Sequence, residues 1–276
     1  MGLDKARRMI KIEPYDNLMT CIKTGSEFNG SVVMWTYAYL IDDSLIDAGC
    51  PNASGEIQEF AARNPIRRVF VTHTHEDHLG CCSVLAPESE IYATPPVAEF
   101  LKNPKILPDF FVMVWGQPEP VHEVMPMPQQ FEIGDLSLEW ILLPGHTDHM
   151  IGFYEKERGW LFSADAVPLP SRKELAMPDE NVPQMIATME MIQKLELNIL
   201  FDGHRGPVED PYEYIQKRID FLKDLQESIK ELHSQGQDIP EIQESLGIEA
   251  PWYAGMTEGR FTVNHLIKSL IFDEVP

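Results

Sequence analysis

Residues 72–78, THTHEDH, constrain this chain more than any other stretch of it. Three imidazoles (His73, His75, His78) and two carboxylates (Glu76, Asp77) directly follow the apolar run RVFV at 68–71. Charged imidazoles packed this closely repel one another unless a metal ion or hydrogen bonds compensate. Alternate residues of an extended strand face the same way, so His73 and His75 converge on one point at a strand's end. If a helix starts at about Asp77, that residue and His78 address a neighbouring point, while Glu76 lies between the sets and faces away. Imidazole nitrogen and carboxylate oxygen suit zinc, iron and manganese, whereas thiolates would favour structural zinc or iron–sulfur sites. The spacing therefore has the geometry for two adjacent metals.

Later residues occupy the same setting, each just past an apolar strand. His146 follows EWILLPG, Asp165 follows GWLFSA and His204 follows NILFDG. Singly, each reads as a loop or capping residue. Jointly with the first motif they make seven potential ligands at strand ends, and in an α/β layered protein those ends line one edge, where sites assemble. The conjunction decides for a metal site.

The remaining pattern supplies the strands and helices. Runs at 9–12, 18–23, 32–41, 44–49 and 68–72 read as strands, with a helix at 55–64 ending before Pro65. A strand at 90–94 and a helix at 95–103 follow. Residues 104–120, PKILPDFFVMVWGQPEP, read as a packed insertion, with a lid or a homodimer surface as the alternative. The second half repeats the theme: strands at 121–124, 129–133, 136–143, 150–155, 159–164 and 197–201, with a helix at 183–195. Asp210-Pro211 opens a long helix with apolar residues at helical spacing, and 239–247 and 260–271 continue as helices. The expected division is a domain over 1–208 and a helical extension over 209–276 packed on it.

At 276 residues, with 43% hydrophobic and 24% charged residues, the chain can bury a full core. Its 44 acidic residues outnumber 22 basic ones, a formal charge of −22 that disfavours nucleic acid and anionic membranes as partners. No apolar run reaches membrane-spanning length, and the basic N-terminus lacks an apolar signal-peptide core. Four cysteines without framework spacing read as reduced, partly buried thiols, and a cytoplasmic location is the expectation.

THTHEDH (72–78), PGHTDH (144–149), FSAD (162–165) and DGH (202–204) resemble the metallo-β-lactamase superfamily in order and spacing, as does LIDAG at 45–49. The resemblance spans about residues 17–208. It implies an α/β four-layer αββα sandwich with the site along one edge. It assigns His73, His75 and His146 to a first metal, Asp77, His78 and His204 to a second, and Asp165 to a bridge between them. A bridging hydroxide would attack a carbonyl or phosphoryl centre, with two divalent ions as cofactors, zinc foremost and iron or manganese as alternatives. Asp77 could also orient the nucleophile. Asp47 is the candidate partner of a ligand imidazole, or else a turn cap.

Within the family, Asp165 stands where true β-lactamases commonly carry cysteine, and an aspartate bridge resembles the glyoxalase II, lactonase and RNase Z branches. Thr74 stands where glyoxalase II has a histidine, and no basic glutathione-binding set is visible. AVPLP (166–170) replaces the tyrosine of acyl-homoserine lactonases. The expected function is hydrolysis of a small ester, thioester or lactone. The alternatives are a mononuclear-iron persulfide dioxygenase, a small-molecule phosphodiesterase and a noncatalytic metal-containing sensor. The substrate pocket is expected near the Pro-rich segment 168–183, a candidate lid. Arg172 and Lys173 are candidate anion contacts, and Trp252 and Tyr253 candidate apolar walls. Each has a plain alternative, solvated charge for the first pair and helix packing for the second. His149 is assigned to the polar turn Thr147-Asp148-His149.

Overall fold

The computed structural model describes residues 7–28, 30–169, 175–251 and 253–272. The first sheet comprises β1 (Arg7–Pro14), β2 (Met19–Phe28), β3 (Ser31–Val32), β4 (Thr36–Ile41), β5 (Ser44–Ile46), β6 (Arg68–Phe70), β7 (Glu90–Ala93) and β8 (Met125–Pro126). Its order is β1-β2-β4-β5-β6-β7-β8, with β3 on β2. The pairings from β5 to β8 are parallel and the others antiparallel. The second sheet holds β9 (Gln130–Ile133), β10 (Leu136–Leu142), β11 (Ile151–Glu155), β12 (Trp160–Ala164), β13 (Ile199–Asp202) and β14 (Gly206–Val208). It runs β14-β13-β12-β11-β10-β9, with β12 and β13 parallel. The helices are α1 (Ser54–Ala61), α2 (Glu76–Leu79), α3 (Cys82–Leu85), α4 (Pro95–Lys102), α5 (Asp109–Val114), α6 (Val182–Ile192), α7 (Pro211–Ser234), α8 (Ile239–Ser245) and α9 (Val263–Phe272).

The period-2 alternation of strands sorts their side chains into layers. On β5, β6, β12 and β13, Ile46, Phe70, Phe162 and Phe201 turn inward, to a seam between the sheets. Their neighbours Leu45 and Val69 turn outward under α1, α3 and α4. Leu161 and Leu200 turn outward the other way, under α6, α7, α8 and α9. The result is helices, sheet, sheet, helices. Phe70, Phe153, Phe162 and Phe201 are fully buried in the seam, and burial of each is worth about 1.5–3 kcal/mol. Tyr39 meets Phe162 edge-on at 5.3 Å between centroids, and Phe70 stacks on Phe131 at 4.1 Å. This seam fixes one sheet against the other, and hence the strand ends that carry the site.

Several boundaries differ from the sequence expectation. The run 32–41 is not one strand: it breaks after Val32 and resumes at Thr36. The break leaves the Trp35 carbonyl, which an interior strand position would commit to a neighbouring strand, to face His204 instead. Residues 121–124 are not a strand either, since pairing is confined to Met125–Pro126. Pro118 and Pro120 precede them, and Val121 is held by its N–H donating to the Leu101 carbonyl at the end of α4. The aromatic run in 104–120 forms α5, with Phe111, Val114 and Trp115 buried around Cys50. Helix α7 begins at Pro211, but the Asp210 side chain makes no capping bond. Helix α8 has a full capping box between Asp238 and Glu241.

Candidate metal centre

The motif 72–78 takes its shape from two neighbouring strands. Past the end of β6, the Val71 N–H donates to the Tyr92 carbonyl at 3.0 Å. The Thr72 N–H donates to Asp47 Oδ1 at 2.9 Å. His75 is still extended (φ −77°, ψ 141°), and α2 starts at Glu76. Extended backbone thus presents His73 and His75, and the helix presents Asp77 and His78.

Two groups of side chains converge there. His73, His75, His146 and Asp165 form one; Asp77, His78 and His204 form the other, and in each the ligand atoms lie within 4.8 Å of one another. Asp165 stands between the groups. Its Oδ1 is 3.1 Å from His78 Nε2, and its Oδ2 is 3.2 Å from His146 Nε2 and 3.0 Å from His204 Nε2. His75 presents Nδ1, 2.8 Å from His146 Nε2. Three buried atoms of these groups, His73 Nε2, His78 Nε2 and Asp165 Oδ1, make no hydrogen bond. An unsatisfied buried polar atom costs about 1–3 kcal/mol, so the bare His73 Nε2, beside two atoms that meet only as an ion pair at 3.1 Å, fits a site built for a cation. The donors are all imidazole nitrogen and carboxylate oxygen, a set that suits divalent zinc, iron or manganese.

The far nitrogens of the rings are held from behind. His78 Nδ1 lies 2.8 Å from Asp47 Oδ2, His146 Nδ1 2.8 Å from Glu180 Oε1, and His204 Nδ1 2.9 Å from the Trp35 carbonyl. His73 Nδ1 lies 2.9 Å from Thr72 Oγ1, which itself stands 2.9 Å from both Asp47 oxygens. Such acceptors keep the proton on Nδ1 and leave Nε2 bare for a metal. Thr36 Oγ1 donates to Asp77 Oδ2 at 2.8 Å, and the Met177 N–H donates to Glu180 Oε2 at 2.7 Å. Asp47 and Ala164 both have left-handed backbone (φ 57° and 47°), uncommon for residues other than glycine. Each turns the chain abruptly at a strand end, and the irregular register between Phe162 and Ala164 delivers Asp165 to the edge.

Electrostatics follow from burial and crowding. Burial and the neighbouring imidazoles push His73 and His75 well below the usual histidine range. At His146 burial also opposes the charged ring, but Asp165 and Glu180 outweigh it and hold the pKa at about 9. Burial likewise opposes charge on His78 and His204, where Asp165 and Asp77 prevail and raise both. Burial would raise Asp165, yet His204 and His78 hold it well below the carboxylate range. Metal binding must displace protons from the raised imidazoles, so occupancy falls as pH falls.

The other anticipated residues fare variously. Arg172, Lys173 and Trp252 lie outside the described residues. Tyr253 stacks on Phe110 at 6.2 Å, a packing role between the C-terminal segment and α5. His149 does sit in the turn after Thr147, but its Nε2 reaches Thr74 Oγ1 at 3.2 Å, between the first two histidines of the motif. Sequence reasoning missed Glu180, Trp35, Thr36 and Thr72 as supports of the ligand side chains. Glu180 falls inside 168–183, read as a lid, and a backbone carbonyl such as that of Trp35 has no sequence signature.

Gly203 offers a clean test of the crowding. A Cβ there would stand 2.4 Å from Asp165 Oδ1 and 2.8 Å from His78 Cε1. Its φ is not positive, so alanine suits the backbone and any effect is steric. Gly203→Ala is expected to displace Asp165 and lower metal affinity about 10- to 100-fold without changing any ligand, as displaced supporting groups do. Metal retention after dialysis checks this; full retention would show that the space is not needed.

The model of the metallo-beta-lactamase superfamily matches residues 36–220, more than half of the chain. The chain belongs to this superfamily. A hydroxyacylglutathione hydrolase of Legionella pneumophila (strain Paris) is 28% identical over 139 residues, covering 49% of this chain and 47% of the relative. The Corby strain's hydroxyacylglutathione hydrolase is 27% identical over 128 residues, covering 45% and 43%. The superfamily chain thus spans about half the length of the curated relatives it matches. Among solved structures, a metallo-beta-lactamase from Pontibacter korlensis superposes with TM-score 0.61 at 16% identity, over 78% of this chain and 100% of that one. A metallo-beta-lactamase family protein from Thermus thermophilus superposes with TM-score 0.58 at 15% identity, over 97% and 91%. At such identities these likenesses bear on the fold alone. Among the described residues, no helix is long and apolar enough to cross a membrane.

Proposed function

We propose that the chain is a dinuclear metal-dependent hydrolase that cleaves a small ester, thioester or lactone. His73, His75 and His146 would hold one divalent ion, Asp77, His78 and His204 the other, and Asp165 would touch both. The observation that carries this reading is the Asp165 carboxylate, 3.0–3.2 Å from imidazoles of both groups. Two bound ions, zinc foremost, would supply an attacking water of lowered proton affinity and polarise the substrate's carbonyl.

The chain's own residues do the rest. Thr36 fixes Asp77 Oδ2, 3.7 Å from His204 Nε2, so the Asp77 carboxylate is placed to accept a proton from an attacking water. Asp47 and Glu180 keep His78 and His146 aimed. A cavity beside His146, Asp165 and His204 is walled by Val167, Leu175, Met185, Leu222 and Leu266, which exclude water and suit an apolar part of the substrate. Leu222 and Leu266 come from the helical extension over 209–276, which in this reading completes the pocket of the domain over 1–208. The names of the curated relatives support hydrolysis, but their half-length match leaves this chain's substrate to be established.

A mononuclear-iron dioxygenase would need one ligand group; the buried second group, with its own support from Asp47 and Thr36, favours hydrolysis. The test is a panel of esters, thioesters and lactones offered to metal-loaded protein without oxygen. Turnover is expected under those conditions. Oxygen uptake with a persulfide, and no anaerobic turnover, would overturn the proposal.

A further inference from the structure

A second cavity adjoins the centre, sharing Asp165 and His204 with the first, and a cation lines it. His75, Asp77, Asp165 and His204 line it together with Phe111, Trp115 and Arg260. Arg260 comes from the segment just before α9, and its guanidinium lies over the Phe111 ring at 4.6 Å from the centroid. Stacking on a ring holds the planar group in place while leaving its edge to donate. Arg260 Nη1 is buried and makes no hydrogen bond. Its carboxylate neighbour, Glu76 Oε1, is 3.9 Å away, beyond hydrogen-bonding distance. The side chain as a whole is 33% exposed. It also lines a wider groove with Thr74, His75 and His149 that adjoins this cavity. Arg260 thus lies over an aromatic ring, has a donor nitrogen without a hydrogen bond and is partly exposed.

In a chain of formal charge −22, an anionic substrate is repelled at long range. Recognition of one then needs a local cation with well-directed donors. Arg260 meets that need within the cavity that holds four of the candidate ligands. The planar fork matches a planar carboxylate. A phosphate would bring a second negative charge towards Glu76, Asp77 and Asp165, so the monoanion is the better fit.

We propose that Arg260 is a specificity residue that receives a carboxylate carried by the substrate, so that the ester or thioester cleaved belongs to an acid bearing a second, free carboxyl group. This rests on the hydrolase reading above. It also gives Glu76 a task, as the anion that balances Arg260 between turnovers. No bond is made or broken at Arg260; it binds and orients.

The test compares two thioesters of equal acyl length, glutaryl and pentanoyl, on metal-loaded protein and on Arg260→Met, which keeps an apolar side chain over Phe111. Wild type is expected to favour the glutaryl thioester in kcat/KM. Arg260→Met is expected to lower that preference about 10- to 100-fold, the loss falling mainly in KM, as for removal of a charge-assisted hydrogen bond. Arg260→Lys, which keeps the charge without the fork, should retain part of the preference and serves if the methionine variant fails to fold. Absence of a preference in wild type, or an equal loss on both thioesters in the variants, would overturn the proposal. Calorimetric titration with glutarate separates this question from hydrolysis. If neither thioester is cleaved, weaker glutarate binding by Arg260→Met still supports the carboxylate site, and unchanged binding overturns it.

Discussion

Asp165→Ala is expected to strip the centre of metal and to lower hydrolysis by more than about 100-fold, beyond what loss of a supporting residue typically costs. The Asp165 carboxylate lies within 3.2 Å of imidazoles of both groups, so its removal opens the two sites at once. Without it, His78 and His204 keep only Asp77, 3.9 and 3.7 Å away, with Asp47 behind His78, and His146 keeps only Glu180. Burial lowers all three pKa values and Asp165 is among the carboxylates that outweigh it, so without Asp165 the rings should hold their protons less tightly. The inter-sheet seam of Phe70, Phe153, Phe162 and Phe201 is untouched. Circular dichroism should therefore report a folded protein. Asp165→Asn keeps the volume but offers one acceptor oxygen in place of two, and should fail similarly. Unchanged metal content and activity in either variant would remove Asp165 from the bridging role.

Asp47→Asn is expected to act through His78 without altering any ligand. Asp47 accepts from the Thr72 N–H and stands 2.9 Å from Thr72 Oγ1, while its Oδ2 lies 2.8 Å from His78 Nδ1. In the asparagine the single oxygen would stay with Thr72, and the NH2 would face His78 Nδ1. That nitrogen must then accept, which moves the ring proton to Nε2 and blocks the metal-facing lone pair. Metal affinity should fall about 10- to 100-fold. Asparagine tolerates the left-handed backbone at φ 57°, whereas alanine adds about 1–2 kcal/mol of strain. Asp47→Ala should therefore lower Tm by at least about 2–4 °C more than Asp47→Asn. Equal Tm values, with metal affinity intact in both, would reduce Asp47 to an ordinary turn residue.

The parts of the site that were legible in the sequence are those written as ligand-type residues at strand ends. His146, Asp165 and His204 lie far apart in the chain, yet each follows an apolar run that can only be an interior strand, and interior strands of one sheet end on a common edge. The supports are a different matter. Glu180 reaches His146 across 34 residues from a Pro-rich segment with no periodicity. Trp35 contributes through its carbonyl, which a side-chain pattern cannot show. Glu76 carries the clearest lesson. The sequence pattern places it between the two sets and facing away; it belongs to neither group, yet it is only 5% exposed and lines a cavity with His75, Asp77, Asp165 and His204. Its surroundings depend on Arg260, almost two hundred residues later, and no local signal encodes that approach. The split of 32–41 was hidden for a related reason: the run is apolar or aromatic apart from Thr36, and the Trp35 carbonyl at the break meets His204 from far along the chain.

The central claim is a pair of metal ions held by one chain, and the metal content of purified protein tests it most directly. After loading with zinc and exhaustive dialysis, elemental analysis is expected to find two ions per chain, falling when Asp165 or Asp47 is replaced. A stoichiometry that stays at one ion per chain under saturating zinc would contradict the dinuclear centre.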